Sequence, residues 1–78
     1  MSKASESRAG TVEVSITTFD RGEETVRFTA IGSKITVQEL GKKAEPIGLE
    51  AAVGRMERLK REGWGITHEL VERPAWAV

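Results

Sequence analysis

The sequence predicts a two-layer α+β domain in which one helix packs on a mostly antiparallel four-stranded sheet, in the order β-β-β-α-β. Three runs of alternating apolar and polar residues occupy the first half of the chain. One segment with helical periodicity follows them, and a last alternating run comes after it. A chain of 78 residues is long enough for one domain, and we expect a thin core.

The first predicted strand runs from Thr11 to Phe19 and ends at a turn around Gly22. Val12, Val14 and Ile16 alternate with polar residues, so we expect these three side chains to face the core. The other face of the sheet is then expected to be open and mostly polar, with Glu13, Ser15, Thr17, Arg27, Thr29, Thr36, Gln38, Thr67 and Glu69.

The second and third predicted strands, residues 24–31 and 34–40, form a hairpin. The two residues between them are Gly32 and Ser33, which favour a type II′ turn. A turn of this length fixes the register, which pairs Ile31 with Lys34, Ala30 with Ile35, Thr29 with Thr36 and Phe28 with Val37.

The helix is predicted from Leu49 to Glu62, and Gly63 is suited to end it. Gly54 weakens the middle of this helix, and we expect it to allow close approach to the sheet. Within the helix, the pairs Glu57–Arg61 and Arg58–Glu62 have the spacing of ion pairs. The apolar stripe of the helix consists of Leu49, Ala52, Val53, Met56 and Leu59.

The last strand is predicted over residues 66–72, ending at Pro74. It is expected to run parallel to the first strand and beside it, in the spatial order 3-2-1-4. Residues 1–10 are predicted to be a disordered lead, residues 11–73 the domain and residues 74–78 a tail. The absence of a leader peptide and of a membrane-spanning apolar run predicts a cytoplasmic protein.

Composition favours a binding module over an enzyme. Twelve basic residues balance twelve acidic ones, whereas a dedicated nucleic-acid binder usually carries a basic excess. The chain has no cysteine and a single histidine, His68, and no group of residues has the spacing of a catalytic or metal site. We therefore predict no enzymatic activity, no cofactor and no metal.

The candidate partner-binding residues are mainly basic. Arg55, Arg58 and Arg61 recur on the helix, and guanidinium groups bind carboxylates and phosphates in a forked geometry. The alternative is that these arginines are only the solvent-exposed charges that any outer helix face carries. Trp76 near the chain end either folds back on the sheet or is an exposed anchor for a partner. The full predicted set is Lys42, Lys43, Arg55, Arg58, Arg61 and Trp76.

Two resemblances accompany these patterns. The stretch from Leu59 to Val71 contains a glycine–tryptophan pair between the helix and the last strand, and it resembles the end of several small bacterial domains of unknown function. In its size, charge-rich surface and lack of cysteine, the whole chain resembles phage-type inhibitors such as anti-CRISPR proteins. That resemblance implies an inhibitor that occupies a surface on a larger complex, and it transfers no functional residues.

Three functions follow as hypotheses. The first is a non-enzymatic inhibitor that sterically blocks a larger protein or ribonucleoprotein complex, without a membrane partner. The second is a small nucleic-acid-binding accessory domain that uses Lys42, Lys43 and the helix arginines. The third is an enzyme or small-molecule site that is completed around His68 only by oligomerisation, since the sheet edges allow a homodimer.

Overall fold

The computed structural model describes residues 10–77, and it confirms the α+β class with one helix on one face of an antiparallel sheet. The predicted lead lies outside the described residues except for Gly10. The spatial order of the strands is β4-β3-β2-β1-β5. In chain order the elements are β1 (Thr11–Arg21), β2 (Glu24–Ile31), β3 (Lys34–Glu39), β4 (Glu45–Pro46), α1 (Leu49–Arg61), β5 (Gly65–Pro74) and a 3-10 helix (Ala75–Ala77).

The β2–β3 hairpin confirms the predicted register, including Phe28 opposite Val37. Gly32 has φ +60°, whereas Ser33 does not adopt a positive φ. This combination is that of a type II′ turn, in which only the first central residue is left-handed. Gly22 plays the same role between β1 and β2, with φ +61°.

The predicted number of strands and the predicted direction of the last strand are both wrong, and for one reason: the connection before the helix contains the short strand β4. β4 pairs antiparallel with β3, so the chain reverses once more before the helix begins. The helix then runs back across the sheet, and β5 pairs with β1 antiparallel rather than parallel. The described residues therefore form a sheet of five strands, and β5 does lie beside β1 as predicted.

The predicted core face of β1 is also wrong. The two-residue turn pairs Arg21 with Glu24, and Phe19 therefore lies opposite Val26. Alternate residues from Phe19 back to Glu13 consequently face the helix, and the first apolar run faces the other side of the sheet. On that other side, Val14 is buried but lies outside the main core cluster. Its cross-strand neighbours are the half-buried residues Ile31 and Val71.

The helix ends before Gly63, as predicted, and the chain forms a Schellman motif there. Gly63 has φ +86° and donates to the carbonyl of Lys60, while the Trp64 N–H donates to the carbonyl of Leu59. The predicted apolar stripe is only partly buried: Ala52 and Leu59 are buried, and Met56 is partly buried. Leu49 and Val53 are exposed because the helix covers only part of the sheet. No helix of the described residues is long and apolar enough to cross a membrane.

Trp64 closes the core where the helix meets β5. Its side chain is buried, and its Nε1 donates to Oε1 of Glu62 at 3.1 Å. The Arg21 guanidinium lies 4.5 Å from the Trp64 ring centroid and pairs with the same glutamate at 3.7 Å. This cluster joins the β1–β2 turn to the end of the helix and fixes how the helix sits on the sheet. The main core consists of Phe19, Val26, Phe28, Val37, Ala52, Leu59 and Trp64.

Candidate partner-binding site

The outer surface of α1 carries a shallow depression of about 400 Å³. Three of the predicted residues, Arg55, Arg58 and Arg61, meet there because they follow one another at intervals of three along the helix. The small residues Ala51 and Gly54 also line it. The structure therefore brings half of the predicted set together around one concave site.

Arg55 is held in place from the sheet side. Its guanidinium donates to Oε2 of Glu39 at the end of β3, and its side chain is largely covered. Lys42 pairs with the other carboxylate oxygen of Glu39 at 3.4 Å. The hydrogen bond from Arg55, followed by the contact with Lys42, lowers the pKa of the Glu39 carboxyl below its ordinary value. Arg55 thus forms one side of the depression, and its positive charge is already paired with the Glu39 carboxylate.

The Glu39 contacts predict a loss of stability in acid. Because the pKa is lower in the folded state, the stabilisation is complete above the ordinary value of 4.5 and is lost as the pH falls through the folded-state value. We expect the urea midpoint of Glu39→Gln to be lower than that of the wild type at pH 7, and the two midpoints to converge as the pH falls below the folded-state pKa of Glu39. Glu57→Gln is the control, since Glu57 is exposed and has no ion pair with another described residue. Equal pH profiles for wild type and Glu39→Gln would contradict this role.

Arg58 and Arg61 are exposed and make no ion pair with any other residue of the range 10–77. The ion pairs predicted within the helix, Glu57–Arg61 and Arg58–Glu62, are not formed. Glu62 turns instead toward Arg21 and Trp64 at the end of the helix. Two guanidinium groups on the rim of the depression are consequently available to an external anion.

Gly54 lies at the depression, and its predicted close approach to the sheet is wrong. A Cβ placed on Gly54 would meet no atom within 4 Å, so no packing contact requires a glycine there. The residue points away from the core because it falls on the side of the helix opposite to Ala52 and Met56. Its effect is to leave helix backbone accessible between the arginines. The sequence showed the glycine, but only the helix orientation shows that it faces outward.

Comparison with protein-family models, with curated proteins and with solved structures finds no match for this chain. The site must therefore be interpreted from its own chemistry.

The predicted lysines lie apart from the free arginines. Lys42 and Lys43 follow β3 and line a smaller depression with Glu39, Glu45 and Arg55. The Lys42 carbonyl accepts a hydrogen bond from the Gln38 amide at 3.0 Å, which orders the turn. Both lysines therefore sit among carboxylates on the β3 side, and Arg55, which lines both depressions, is the residue that connects them to the helix site.

Trp76 follows β5, at the opposite edge of the sheet from β4, and its side chain is 86% exposed. It is not packed on the sheet. His68 is also on β5 and exposed, and its Nε2 is 2.9 Å from the Ser15 hydroxyl. Among the described residues, no group of three or more histidine or acidic side chains could hold a metal ion.

A second depression, of about 420 Å³, lies between the C-terminal half of the helix and the ends of β2 and β3. Arg55 and Arg58 reach it as well, but they are outnumbered there by carboxylates. Such a lining favours neither an acidic nor a basic partner. The acidic residues at this depression are Glu23, Glu24, Glu39 and Glu62.

Proposed function

We propose that the protein is a non-enzymatic binding module that docks the arginine-lined depression of its helix onto an acidic side chain of a larger protein complex. Arg58 and Arg61 would bind the carboxylate from the rim, and the absence of a side chain at Gly54 would let the carboxylate approach the helix backbone. The whole chain would then cover part of the partner's surface and block it sterically.

The outward-facing glycine is the observation that carries this proposal. A glycine inside a helix costs about 1 kcal/mol relative to alanine, and here no packing contact offsets that cost. A helix that needed only a solvated charged face would be more stable with a side chain at Gly54. The combination of an accessible backbone and two unpaired guanidinium groups suits a bound carboxylate.

A localised acidic group fits this site better than a nucleic-acid backbone. Glu50 and Glu57 lie on the exposed helix beside the arginines and would repel a chain of phosphates running along it. The net charge of zero points the same way. A single carboxylate between Arg58 and Arg61 would meet two guanidinium groups, whereas phosphates running along the helix would also pass Glu50 and Glu57.

Filling the depression is expected to separate binding from stability. We expect Gly54→Ala to raise the free energy of unfolding by about 1 kcal/mol, because its methyl group enters open space. Gly54→Gln is expected to keep at least wild-type stability, since glutamine is also a better helix former, yet to lose partner capture by closing the depression. Stability is measured by urea unfolding, and capture by a tagged full-length pull-down from the native host's lysate.

The matched control is Lys60→Gln, an exposed helix position that does not line the depression. It should capture the partner as well as the wild type. If Gly54→Gln is folded and still captures the partner at the wild-type level, the depression is not the binding site. Each pull-down is done with and without nuclease, and a stoichiometric protein must survive nuclease treatment.

Nucleic-acid binding remains the second candidate, because the two unpaired arginines could also hold phosphate. This function would give retention on DNA or RNA that falls steeply with salt, and partners that are lost with nuclease. The absence of salt-sensitive retention would eliminate it.

The proposed inhibitory role rests on size as well as on the site. A domain of 8.6 kDa that binds through one helix face can act by occupying a surface, without chemistry of its own. The resemblance to phage-type inhibitors supports the same role. Its partner would be a protein or ribonucleoprotein complex whose exposed surface carries a carboxylate.

A further inference from the structure

β5 is an edge strand with an open side. Within residues 10–77, its ten residues pair with β1 on one side only, and β1 lies between β2 and β5 in the sheet. The opposite edge is short, since β4 has two residues. Long unpaired edge strands readily accept another strand, so proteins usually protect them.

The backbone groups on the open side can be assigned from the register. The N–H of Ala75 donates to the carbonyl of Gly10, so this pair is hydrogen-bonded, and bonded pairs alternate along an antiparallel ladder. The odd-numbered residues of β5 therefore bond to β1. The N–H and carbonyl groups that point outward belong to Ile66, His68, Leu70 and Glu72.

The side chains along this edge are unusually apolar for a strand in water. Ile66 is 48% exposed and Leu70 is 60% exposed, and both lie on the helix side of the sheet, where the helix does not cover them. Trp76 follows at the end of the strand with its side chain almost fully exposed. Exposed apolar groups along an open edge are typical of a surface that binds another chain.

The charges on β5 indicate that the bound chain is a second copy of this protein. Glu69 and Arg73 lie on the other face of β5, opposite the apolar residues Ile16 and Val12 of β1. Neither makes an ion pair with another residue of the described range. Their complementary charges are two residues on either side of Val71, so the strand is complementary to an inverted copy of itself.

We propose that two copies of the chain pair antiparallel through β5, with Val71 at the two-fold axis, and form one ten-stranded sheet. In this register Glu69 lies opposite Arg73 of the second copy, and the pair occurs twice by symmetry. A dimer centred on Glu69 or on Glu72 would place two carboxylates opposite each other.

The same register brings apolar side chains of the two copies together, although Leu70 itself lies directly opposite Glu72 of the second copy. Val71 lies opposite Val71 of the second copy, and the two Leu70 side chains become diagonal neighbours across the axis. Ile66 lies beyond the paired segment, near the 3-10 helix of the second copy that carries Trp76. Each outward N–H and carbonyl from Leu70 and Glu72 finds a partner. This assembly does not depend on the proposed acidic partner, because the helix site lies elsewhere.

Charge reversal tests the proposal with the full-length chain. We expect sedimentation equilibrium at micromolar protein concentrations to give twice the mass of 8.6 kDa. Glu69→Arg and Arg73→Glu should each weaken dimerisation by about tenfold or more, since each places like charges in register. The double variant should restore it. A monomeric wild type, or single variants that dimerise normally, would overturn the proposal.

A cysteine at the axis tests the register. The chain has no cysteine, and Val71→Cys would place two thiols in a non-hydrogen-bonded pair, where the Cβ atoms are within reach of a disulfide. We expect mild oxidation to cross-link Val71→Cys and to leave the control Thr67→Cys largely monomeric on a denaturing gel. Stronger cross-linking of Leu70→Cys than of Val71→Cys would overturn the register in favour of one centred on Leu70.

Discussion

Phe28→Ala is expected to leave most of the chain unfolded at 25 °C. The Phe28 side chain is 2% exposed and packs edge-to-face on Phe19, with ring centroids 5.7 Å apart. Removing a buried phenylalanine costs about 3–5 kcal/mol, and a domain of this length has a stability of only about 4–12 kcal/mol. Small size places this protein near the lower end of that range.

Far-ultraviolet circular dichroism and urea unfolding measure the effect. Leu49→Ala is the matched control, because Leu49 is apolar but exposed on the helix, and its truncation should change stability by about 0.5 kcal/mol or less. If Phe28→Ala loses no more stability than this control, the aromatic pair is not the centre of the core.

The β2–β3 hairpin could be predicted from the sequence because its turn and its alternation agree. Gly32 provides the left-handed residue, and the two-residue turn leaves one register that puts both apolar faces together. The first strand was different, because its alternation and its turn disagree. The turn at Gly22 places Phe19 in the core, and the longer run of valine and isoleucine goes to the other face. Register determined the outcome there.

The direction of β5 depended on a feature with almost no sequence signal. β4 contains only Glu45 and Pro46, too short for any periodicity. One extra reversal nevertheless changes the last strand from parallel to antiparallel. The complementarity of Glu69 and Arg73 about Val71 becomes visible only after β5 is known to be an edge strand.

The helix site was predictable in part for a similar reason. Helical spacing alone brings Arg55, Arg58 and Arg61 to one side. The contact between Arg55 and Glu39 joins residues far apart in the chain, so it required the tertiary structure. The orientation of Gly54 also required it, since an apolar stripe that is wider than the buried face leaves the rotation of the helix undetermined.

Arg58→Glu combined with Arg61→Glu is expected to abolish partner capture. Both side chains are exposed, and no described residue pairs with them, so their reversal removes no ion pair of the described fold. It would place two carboxylates against the acidic partner proposed above. Like charges brought together at an interface cost several kcal/mol, which corresponds to a loss in affinity of about 100-fold or more.

The matched control is Arg27→Glu combined with Lys34→Glu, which makes the same change in net charge on the face of the sheet away from the helix. It should capture the partner normally, and a loss there would mean that overall charge, and not the helix site, governs binding. The variant Glu69→Arg, in which we expect dimerisation to be weakened, provides a second comparison. A dimer presents two helix sites, so that variant should lose only the gain from bivalent binding, while the helix reversal removes each site itself. The two effects are therefore separable on one titration of captured partner against protein concentration.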